Sequence, residues 1–296
     1  MKKASLFSLI TTIALQAASV AHSRPGAAWA NLPAGAREAG LAGGMGSLSQ
    51  GLQGLRQDPS SAATIKSAAV EASHNQWVQG VTQEQAAAGL NLGAGFGAAI
   101  SAEWLDMGEV TRYKAAPSGG LTEEGSWHPT AGAATLSLGS SLSSNMAAGL
   151  ALRGWRQDLD GEGALAVSVS GSLRYKPLSS VTLVAALVDF GTRLDSEELP
   201  TAVRAGASWA SKAGSRLGVE LSAPLGLNDG IDYAAALELP LGSAIVLRGG
   251  ALFAAGAVQV APTGGCSIKV SQWSLDFAYR PSALGSTLNA GLSWAL

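Results

Sequence analysis

The chain has 296 residues, of which 47% are hydrophobic, 14% are charged and 38 are glycine. The hydrophobic residues are dispersed, so the composition excludes a disordered chain and a bundle of membrane-spanning helices. The formal net charge is −2 and no basic stripe occurs, which argues against a nucleic-acid partner. The length suits one barrel or one to two globular domains.

The N-terminus predicts export by a signal peptide, residues 1–21. Lys2 and Lys3 precede an apolar stretch, and 19–21 offers a small-x-small cleavage pattern, with 28–30 as a later alternative. The competing interpretation is an uncleaved anchor. No other segment reaches the run of about 18 apolar residues needed for a spanning helix. An exported chain of this kind enters a membrane only as strands, and a closed barrel is the form that satisfies their backbone hydrogen bonds.

Residues 22–66 differ from the rest of the chain and are predicted to form a compact N-terminal segment. The stretch 40–46 is too rich in glycine for a stable helix. Pro59 forces a break at Asp58. A short helix is expected near 60–66, after which the remaining residues, 67–296, form the main domain.

Thirteen segments of about ten residues alternate between apolar and small or polar residues. In 165–176, for example, Leu165, Val167 and Val169 share one face and Ser168 lies on the other. Repeated alternation of this kind predicts an all-β, closed antiparallel transmembrane barrel, and an even strand count gives an estimate of fourteen. The predicted strands are 68–78, 82–93, 96–105, 131–141, 145–155, 165–176, 180–189, 202–211, 215–223, 232–240, 243–253, 267–279 and 286–296.

The last strand is typical of an outer-membrane barrel. Its alternating residues end the sequence, where such barrels carry their assembly signal, although a soluble sandwich strand shows the same period. The predicted signal comprises Asn289, Gly291, Trp294 and Leu296. We therefore expect contact with the barrel-assembly machinery and with outer-membrane lipid in a diderm bacterium.

Aromatic residues near strand ends predict girdles at the two membrane interfaces. The alternative is that they anchor the core of a soluble sheet. The residues concerned are Trp77, Trp104, Tyr113, Trp155, Tyr175, Trp273, Tyr279 and Trp294.

Four motifs in chain order resemble the PorV/PorQ family of outer-membrane proteins. The first motif, at 33–59, contains Ala-Arg, then Gly-Gly-Met-Gly and then Asp-Pro. The other three are Trp-Leu-Asp-x-Gly-Glu at 104–109, Leu-Pro-x-x-x-Arg-x-Gly-x-Ser-Trp at 199–209 and Leu-Asp-Phe-Ala-Tyr at 275–279.

This resemblance implies a fourteen-stranded FadL-like barrel whose N-terminal segment folds into the lumen. The residues that would form this lumen plug are Arg37, Met45, Asp58 and Pro59. It also implies a component of protein secretion and surface attachment of the type IX kind. Exported cargo proteins and a surface-attachment complex would then be the partners.

Long connections at 106–130 and 254–266 are the candidate surfaces for such partners, because barrels place their long loops outside the cell. The second is almost wholly apolar, which suggests partner or lipid contact or a strand extended above the bilayer. The candidate contact residues are Tyr113, Trp127, His128, Val258 and Val260. The alternative function is a FadL-like passive pathway for hydrophobic or small solutes, and a structural outer-membrane protein remains a third class.

No catalytic, cofactor or metal site is predicted. The sequence has three histidines and one cysteine, Cys266, without metal-ligand spacing. Ser208 lies in a near match to a nucleophile elbow but in the middle of a predicted strand. The acidic stretch 158–162 lacks the later glutamate and flanking helices of a calcium loop. We therefore expect a protein that is not an enzyme.

Overall fold

A computed structural model describes residues 27–116, 119–225, 230–253, 260–282 and 285–296. The predicted signal peptide, residues 1–21, lies outside these ranges.

Fourteen antiparallel strands form one closed barrel, in which β1 pairs with β16. The predicted fold class is thereby confirmed. Two further strands, β4 and β5, form a separate hairpin. The strands are β1 (Ala68–Gln76), β2 (Thr82–Gly93), β3 (Phe96–Asp106), β4 (Val110–Ala115), β5 (Leu121–Trp127), β6 (Thr130–Ser143), β7 (Met146–Leu159), β8 (Glu162–Leu178), β9 (Val181–Gly191), β10 (Ala202–Ala210), β11 (Arg216–Pro224), β12 (Asp232–Leu241), β13 (Ile245–Phe253), β14 (Val260–Val270), β15 (Trp273–Ser282) and β16 (Gly285–Ala295).

The predicted single strand 267–279 is wrong, because two strands occupy this region. β14 ends at Val270 and β15 begins at Trp273, with a two-residue turn between them. The exposed apolar residues lie at even positions before that turn (Ile268, Val270) and at odd positions after it (Trp273, Leu275), a change of phase that the prediction overlooked. β14 is the strand missing from the thirteen predicted ones, since Pro262, Gly264 and Gly265 are residues typical of loops.

The outer face of the barrel is an apolar band. Leu165 is 76% exposed, and Val167 and Val169 beside it are also exposed, whereas Ala166 and Ser168 are buried on the inner face. This alternation repeats around the wall, as expected where lipid meets one face of each strand. Outward members of the band include Leu136, Leu150, Leu173, Val219, Leu275, Phe277 and Leu292.

Some of the aromatic residues lie on the outer face near the membrane interfaces, and others are buried inside the barrel. Trp104, Trp273 and Tyr279 are about half exposed on the outer face near strand ends, as a girdle requires. The girdle prediction is wrong for Trp77 and Trp155, which are buried inside the barrel. Trp155 faces inward because of its parity in β7, and Trp77 directly follows β1. Each indole N–H donates to a lumen side chain.

The long connections lie at one end of the barrel, and the connections at the other end are short. Two-residue turns join β2 to β3, β6 to β7 and β14 to β15 at one end, the short-turn end. The β4–β5 hairpin and the connection 192–201 lie at the other, the long-connection end. In bacterial barrels the long connections face outside the cell and the short turns face the periplasm.

The residues before β1, 27–67, form a segment inside the barrel that we call the plug. An α-helix in the plug, α1 (Ala36–Gly40), packs against β14, β15 and β16. The predicted short helix near 60–66 is present as a 3₁₀ helix that begins at Pro59. Among the described residues no helix is long and apolar enough to cross a membrane. The 3₁₀ helices are Ala28–Asn31, Gly46–Leu48, Gly51–Gly54 and Pro59–Thr64 in the plug and Val78–Gly80 after β1.

Candidate functional site

The lumen of the barrel is the candidate site, and the plug runs through it from one end to the other. At the long-connection end, Trp29 packs edge-on against Trp155 of the wall, with ring centroids 5.5 Å apart. Trp77, Leu105 and Leu199 complete this apolar cluster. Burial of such aromatic and aliphatic groups contributes about 1.5–3 kcal/mol for each side chain, so the cluster holds the start of the plug in place.

The wall beside this cluster carries a buried ion pair. Arg153 lies 3.3 Å from Asp189 and its guanidinium stacks over Trp155 at 5.0 Å from the ring centroid. Asp189 has a positive φ of 54° and lies where the pairing of β8 with β9 shifts register. The irregularity turns the carboxylate towards the lumen, as β-bulges commonly do with functional side chains.

Plug residue Arg37 lies at the centre of a charged network. Its Nε and Nη2 donate to Glu238 of β12 at 3.0 and 2.8 Å, and Nη2 also donates to the Leu48 carbonyl at 3.0 Å. Arg248 of β13 donates to the same Glu238 at 2.9 Å and to Asp276 at 2.8 Å. Arg216 of the wall lies 4.0 Å from Glu238 as well, so this carboxylate faces one arginine of the plug and two of the wall.

The neighbouring plug residue Glu38 is also buried, and its backbone partner is the Ala34 N–H at 3.1 Å. Burial raises the pKa of the Glu38 carboxyl above its ordinary value, while the Arg56 charge and the Ala34 N–H oppose that rise. Arg56 in turn lies 3.5 Å from Glu103 of β3.

The plug crosses the lumen at 37–48, which we call the crossing segment. Leu41, Met45 and Leu48 pack on Ala236 of β12. The Gly46 N–H donates to Glu220 of β11 at 2.7 Å, so an apolar contact and a charge-assisted hydrogen bond hold the same turn.

Asp58 is the most enclosed charged group of the plug, with 0% exposure. Its carboxylate accepts from the Ser60 backbone N–H at 3.0 Å, from Ser172 Oγ at 2.5 Å and from Arg174 Nε at 3.0 Å. Arg174 also donates to the plug carbonyls of Gly46 and Ser49, each at 2.9 Å. An aspartate before a proline is a favourable start for a helix, and here the same carboxylate joins the helix to the wall.

The helix that follows Asp58 rests on wall glycines. A Cβ at Gly149 would lie 2.1 Å from the Ser60 nitrogen and 2.3 Å from the Pro59 carbonyl carbon, so this position needs a residue without one. The glycines lie side by side across β3, β6 and β7, where backbone of the plug meets backbone of the wall. They are Gly97, Gly139 and Gly149.

The described part of the lumen contains a cavity on each side of the crossing segment. The cavity at the short-turn end has about 630 Å³ and is lined by Arg37, Arg216, Arg248 and the plug stretch 50–53. The cavity at the long-connection end has about 470 Å³ and is lined by Arg204, Arg280 and plug residues 31–32 and 42–44. Both volumes lie in the range that holds small molecules.

The four predicted plug residues all lie inside the barrel. Arg37, Met45, Asp58 and Pro59 are buried, and each contacts the wall or the rest of the plug as described above. The sequence analysis missed their wall partners Glu238, Glu220 and Arg174. The signal that could have found them is a charged residue on the inward side of a strand whose other inward residues are alanine, serine or glycine.

The predicted C-terminal assembly residues face two directions. Asn289 is buried in the lumen and donates to Asn75 of β1 at 2.8 Å, and Asn75 in turn donates to the Ala34 carbonyl of the plug at 2.7 Å. Trp294 lies on the outer side, 6.4 Å from Trp273. Leu296 follows the end of β16, and Gly291 lies within it.

Three of the predicted partner-binding residues lie on or beside the β4–β5 hairpin. The predicted loop 106–130 contains the β4–β5 hairpin, with Tyr113 exposed in β4 and Trp127 at the end of β5. His128 follows, and its ring lies 2.6 Å from Asp106. The predicted loop 254–266 is wrong from Val260 onward, because β14 begins there. Val258 lies outside the described residues.

The residues considered for other chemistry have structural neighbours. Ser208 donates to the Ser47 carbonyl of the plug at 2.8 Å from the middle of β10. Asp160 lies in the turn between β7 and β8 and pairs with Arg112 of the hairpin. Within the described ranges, no group of three His, Cys, Asp or Glu side chains could hold a metal ion.

The fold is similar to that of solved hydrocarbon transporters. The toluene transporter TodX of Pseudomonas putida is 10% identical, with a TM-score of 0.65 over 89% of this chain and 98% of that one. The toluene transporter TbuX of Ralstonia pickettii is 12% identical, with a TM-score of 0.60 over 89% and 98%. The monoaromatic hydrocarbon channel CymD is 9% identical, with a TM-score of 0.63 over 90% and 98%.

No family model matches the sequence, and no curated protein matches it. The PorV/PorQ resemblance is therefore not confirmed. The chain has a FadL-like fold, a fourteen-stranded membrane barrel with its own N-terminal segment in the lumen.

Proposed function

We propose that the protein is a passive pathway for small hydrophobic solutes across the outer membrane, and that the plug is its gate. The observation that carries this proposal is the pair of cavities inside the lumen. Plug residues line both cavities, and residues 37–48 lie between them. A movement of that short crossing segment would join the two cavities into one path. The solved structures with the same fold are named as transporters or channels for hydrocarbons, which supports the same choice.

The outer membrane as the location follows from the wall. A continuous band of exposed leucine, valine and phenylalanine side chains surrounds the barrel, with aromatic residues near its edges. Such a face is stable only against lipid. Lipid of that membrane is therefore the first partner, and assembly through the predicted C-terminal signal belongs to the same proposal.

The secretion role implied by the sequence resemblance has no support from the comparisons. The solute pathway, the alternative in the sequence analysis, therefore replaces it as the proposed function. Binding of exported proteins at the β4–β5 hairpin is not part of this proposal.

A disulfide between plug and wall tests the gate directly. A Cβ at Gly40 of α1 would lie 3.7 Å from the Cβ of Ala278 on β15, a spacing that suits a disulfide. The double variant Gly40→Cys and Ala278→Cys, in a Cys266→Ala background, tethers the crossing segment when oxidised. Uptake of radiolabelled toluene is measured in a diderm host whose own channels for it are deleted.

We expect the wild type to raise the uptake rate above that of cells without the protein. Oxidation of the double variant should remove that increase and a reductant should restore it, whereas each single-cysteine variant should be insensitive to both. Equal uptake with and without the barrel would refute the pathway. Unchanged uptake through the oxidised variant would refute the plug as its gate.

A further inference from the structure

The cavity at the short-turn end reaches from the lumen to the lipid-facing side of the barrel. Val70 of β1 and Trp294 of β16 lie opposite each other across the seam that closes the barrel, and both line this cavity. Val70 is 44% exposed on the outer face, and the Trp294 ring lies 6.4 Å from that of Trp273. Exposed tryptophans near strand ends mark the level of the lipid headgroups. The cavity therefore opens at the edge of the membrane.

Two lysines line the same cavity on either side of the seam. Lys66 lies two residues before β1, and Lys269 is the residue before the last one of β14. The strands β14, β15, β16 and β1 are neighbours, so three strand spacings, about 14 Å in all, separate the two lysines along the rim. Trp273, Trp294 and Val70 lie on the outer face of the strands between them, and we call these three residues the seam strip.

Neither lysine is neutralised by the chain. Both are exposed, and neither has a carboxylate within 4.0 Å among the described residues. The side-chain carboxylates that line the cavity are Glu71, Glu238 and Asp276, and each lies three residues inside its strand, about 10 Å from the rim. Glu238 and Asp276 are already bonded to arginines. The two ammonium groups at the rim are therefore available to an anion from outside the chain.

The rim at the short-turn end is basic as a whole. The six turns that join strands at this end contain no aspartate or glutamate, and Lys176 and Lys212 lie in or beside them. Of the lysines in the described ranges, only Lys114 lies at the other end, where it pairs with Glu124. The described connections at that end are acidic, because they contain Glu109, Glu123, Glu124, Asp160, Asp195, Glu197 and Glu198 against Arg112, Lys114 and Arg193. The positive charge is thus concentrated on the rim that faces the periplasm.

We propose that the seam at the short-turn end binds an anionic phospholipid of the periplasmic leaflet, with its phosphate between Lys66 and Lys269 and its acyl chains along the seam strip. An ammonium group forms charge-assisted hydrogen bonds with phosphate, and each lysine near the surface of a membrane strengthens the attraction of anionic lipid. The position favours a lipid over a soluble acidic protein, because the apolar strip between the two lysines faces the membrane.

This site goes beyond the proposed function. It requires the barrel to lie in a membrane, but it requires no passage of solute through the lumen. A barrel that fails to take up toluene would still bind the lipid, and a barrel without lipid preference could still take up toluene.

Quenching of tryptophan fluorescence by brominated lipid measures this binding at the seam strip itself. The barrel is reconstituted in phosphatidylcholine vesicles that contain either brominated phosphatidylglycerol or brominated phosphatidylcholine. A background of Trp104→Phe and Trp209→Phe removes other half-exposed tryptophans of the outer face, so that the quenching reports Trp273 and Trp294. The dependence of quenching on lipid fraction gives the relative association constant of the two lipids.

The test variant in this background is Lys66→Gln with Lys269→Gln. The matched control is Lys176→Gln with Lys212→Gln, which removes the same charge from the same end but away from the seam. With all four lysines present, we expect phosphatidylglycerol to associate at least fivefold more strongly than phosphatidylcholine. The test variant should lose this preference and the control should keep it. The different migration of heated and unheated samples on a gel confirms that each variant is a folded barrel.

Two results would overturn the site. Equal association of the two lipids would refute lipid recognition at the seam and leave the basic rim to a soluble acidic partner. A preference that survives the test variant, or that the control loses to the same extent, would show a general effect of charge without a site at Lys66 and Lys269.

Discussion

The two halves of the plug are held by different physical means. Residues 58–64 lie with their backbone directly on wall glycines and with one aspartate surrounded by donors. Residues 37–48 are held by the Arg37 side chain, which donates to Glu238, and by the Gly46 N–H, which donates to Glu220, with a cavity on each side. The difference indicates that residues 58–64 are an anchor and that residues 37–48 are the part able to move.

Removal of the Asp58 carboxylate is the strongest test of the anchor. Asp58→Ala leaves the buried Arg174 without its charge partner, and we expect the free energy of unfolding to fall by about 3–5 kcal/mol. A urea titration in micelles, followed by tryptophan fluorescence, measures the change. Glu162→Ala, at an exposed carboxylate on the same strand as Arg174, is the control and should be within about 0.5 kcal/mol of wild type. A similar small change for Asp58→Ala would show that the anchor lies elsewhere.

A side chain at Gly149 tests the backbone contact. Gly149→Val introduces atoms into the space of Ser60 and Pro59, and we expect a loss of about 3 kcal/mol together with faster proteolysis at Arg56. Gly154→Val is a matched control on the same strand, because a Cβ there has no atom within 4 Å. Equal stability of the two variants would mean that the plug does not need this close approach.

Loss of the Arg37 side-chain charge should have a smaller effect. Arg37→Gln removes two hydrogen bonds to Glu238, but Glu238 keeps Arg248 as a partner, so we expect a loss of about 2 kcal/mol. The same urea titration measures it. A loss as large as that of Asp58→Ala would show that both halves anchor the plug equally, and the proposed division between anchor and gate would be wrong.

The strands were predictable where one face is uniformly apolar. In β8 the alternation of Leu165, Val167 and Val169 with serine and alanine predicts both the strand and its lipid-facing side. In β14 the same reasoning fails, because its glycines and proline weaken the pattern and only pairing with β13 and β15 fixes the strand. The residues of β14 alone do not indicate which strands it pairs with.

The contacts between the plug and the wall were harder to predict from the sequence. The resemblance indicated Arg37 and Asp58 as plug residues, but their partners lie 201 and 116 positions away in the chain. Which inward charge meets which plug residue depends on the closed barrel and on the path of the plug within it. Trp155 was misplaced for a related reason, since a position near a strand end does not reveal which face the ring occupies.

The seam between the first and last strands has a consequence for biogenesis. Asn289 on β16 bonds to Asn75 on β1, and Asn75 bonds to a carbonyl of the plug, so one chain of amides spans the closing strands and the segment inside them. A barrel closed around an empty lumen would lack the bond from Asn75 to the plug, so the seam reaches its full set of hydrogen bonds only with the plug in place.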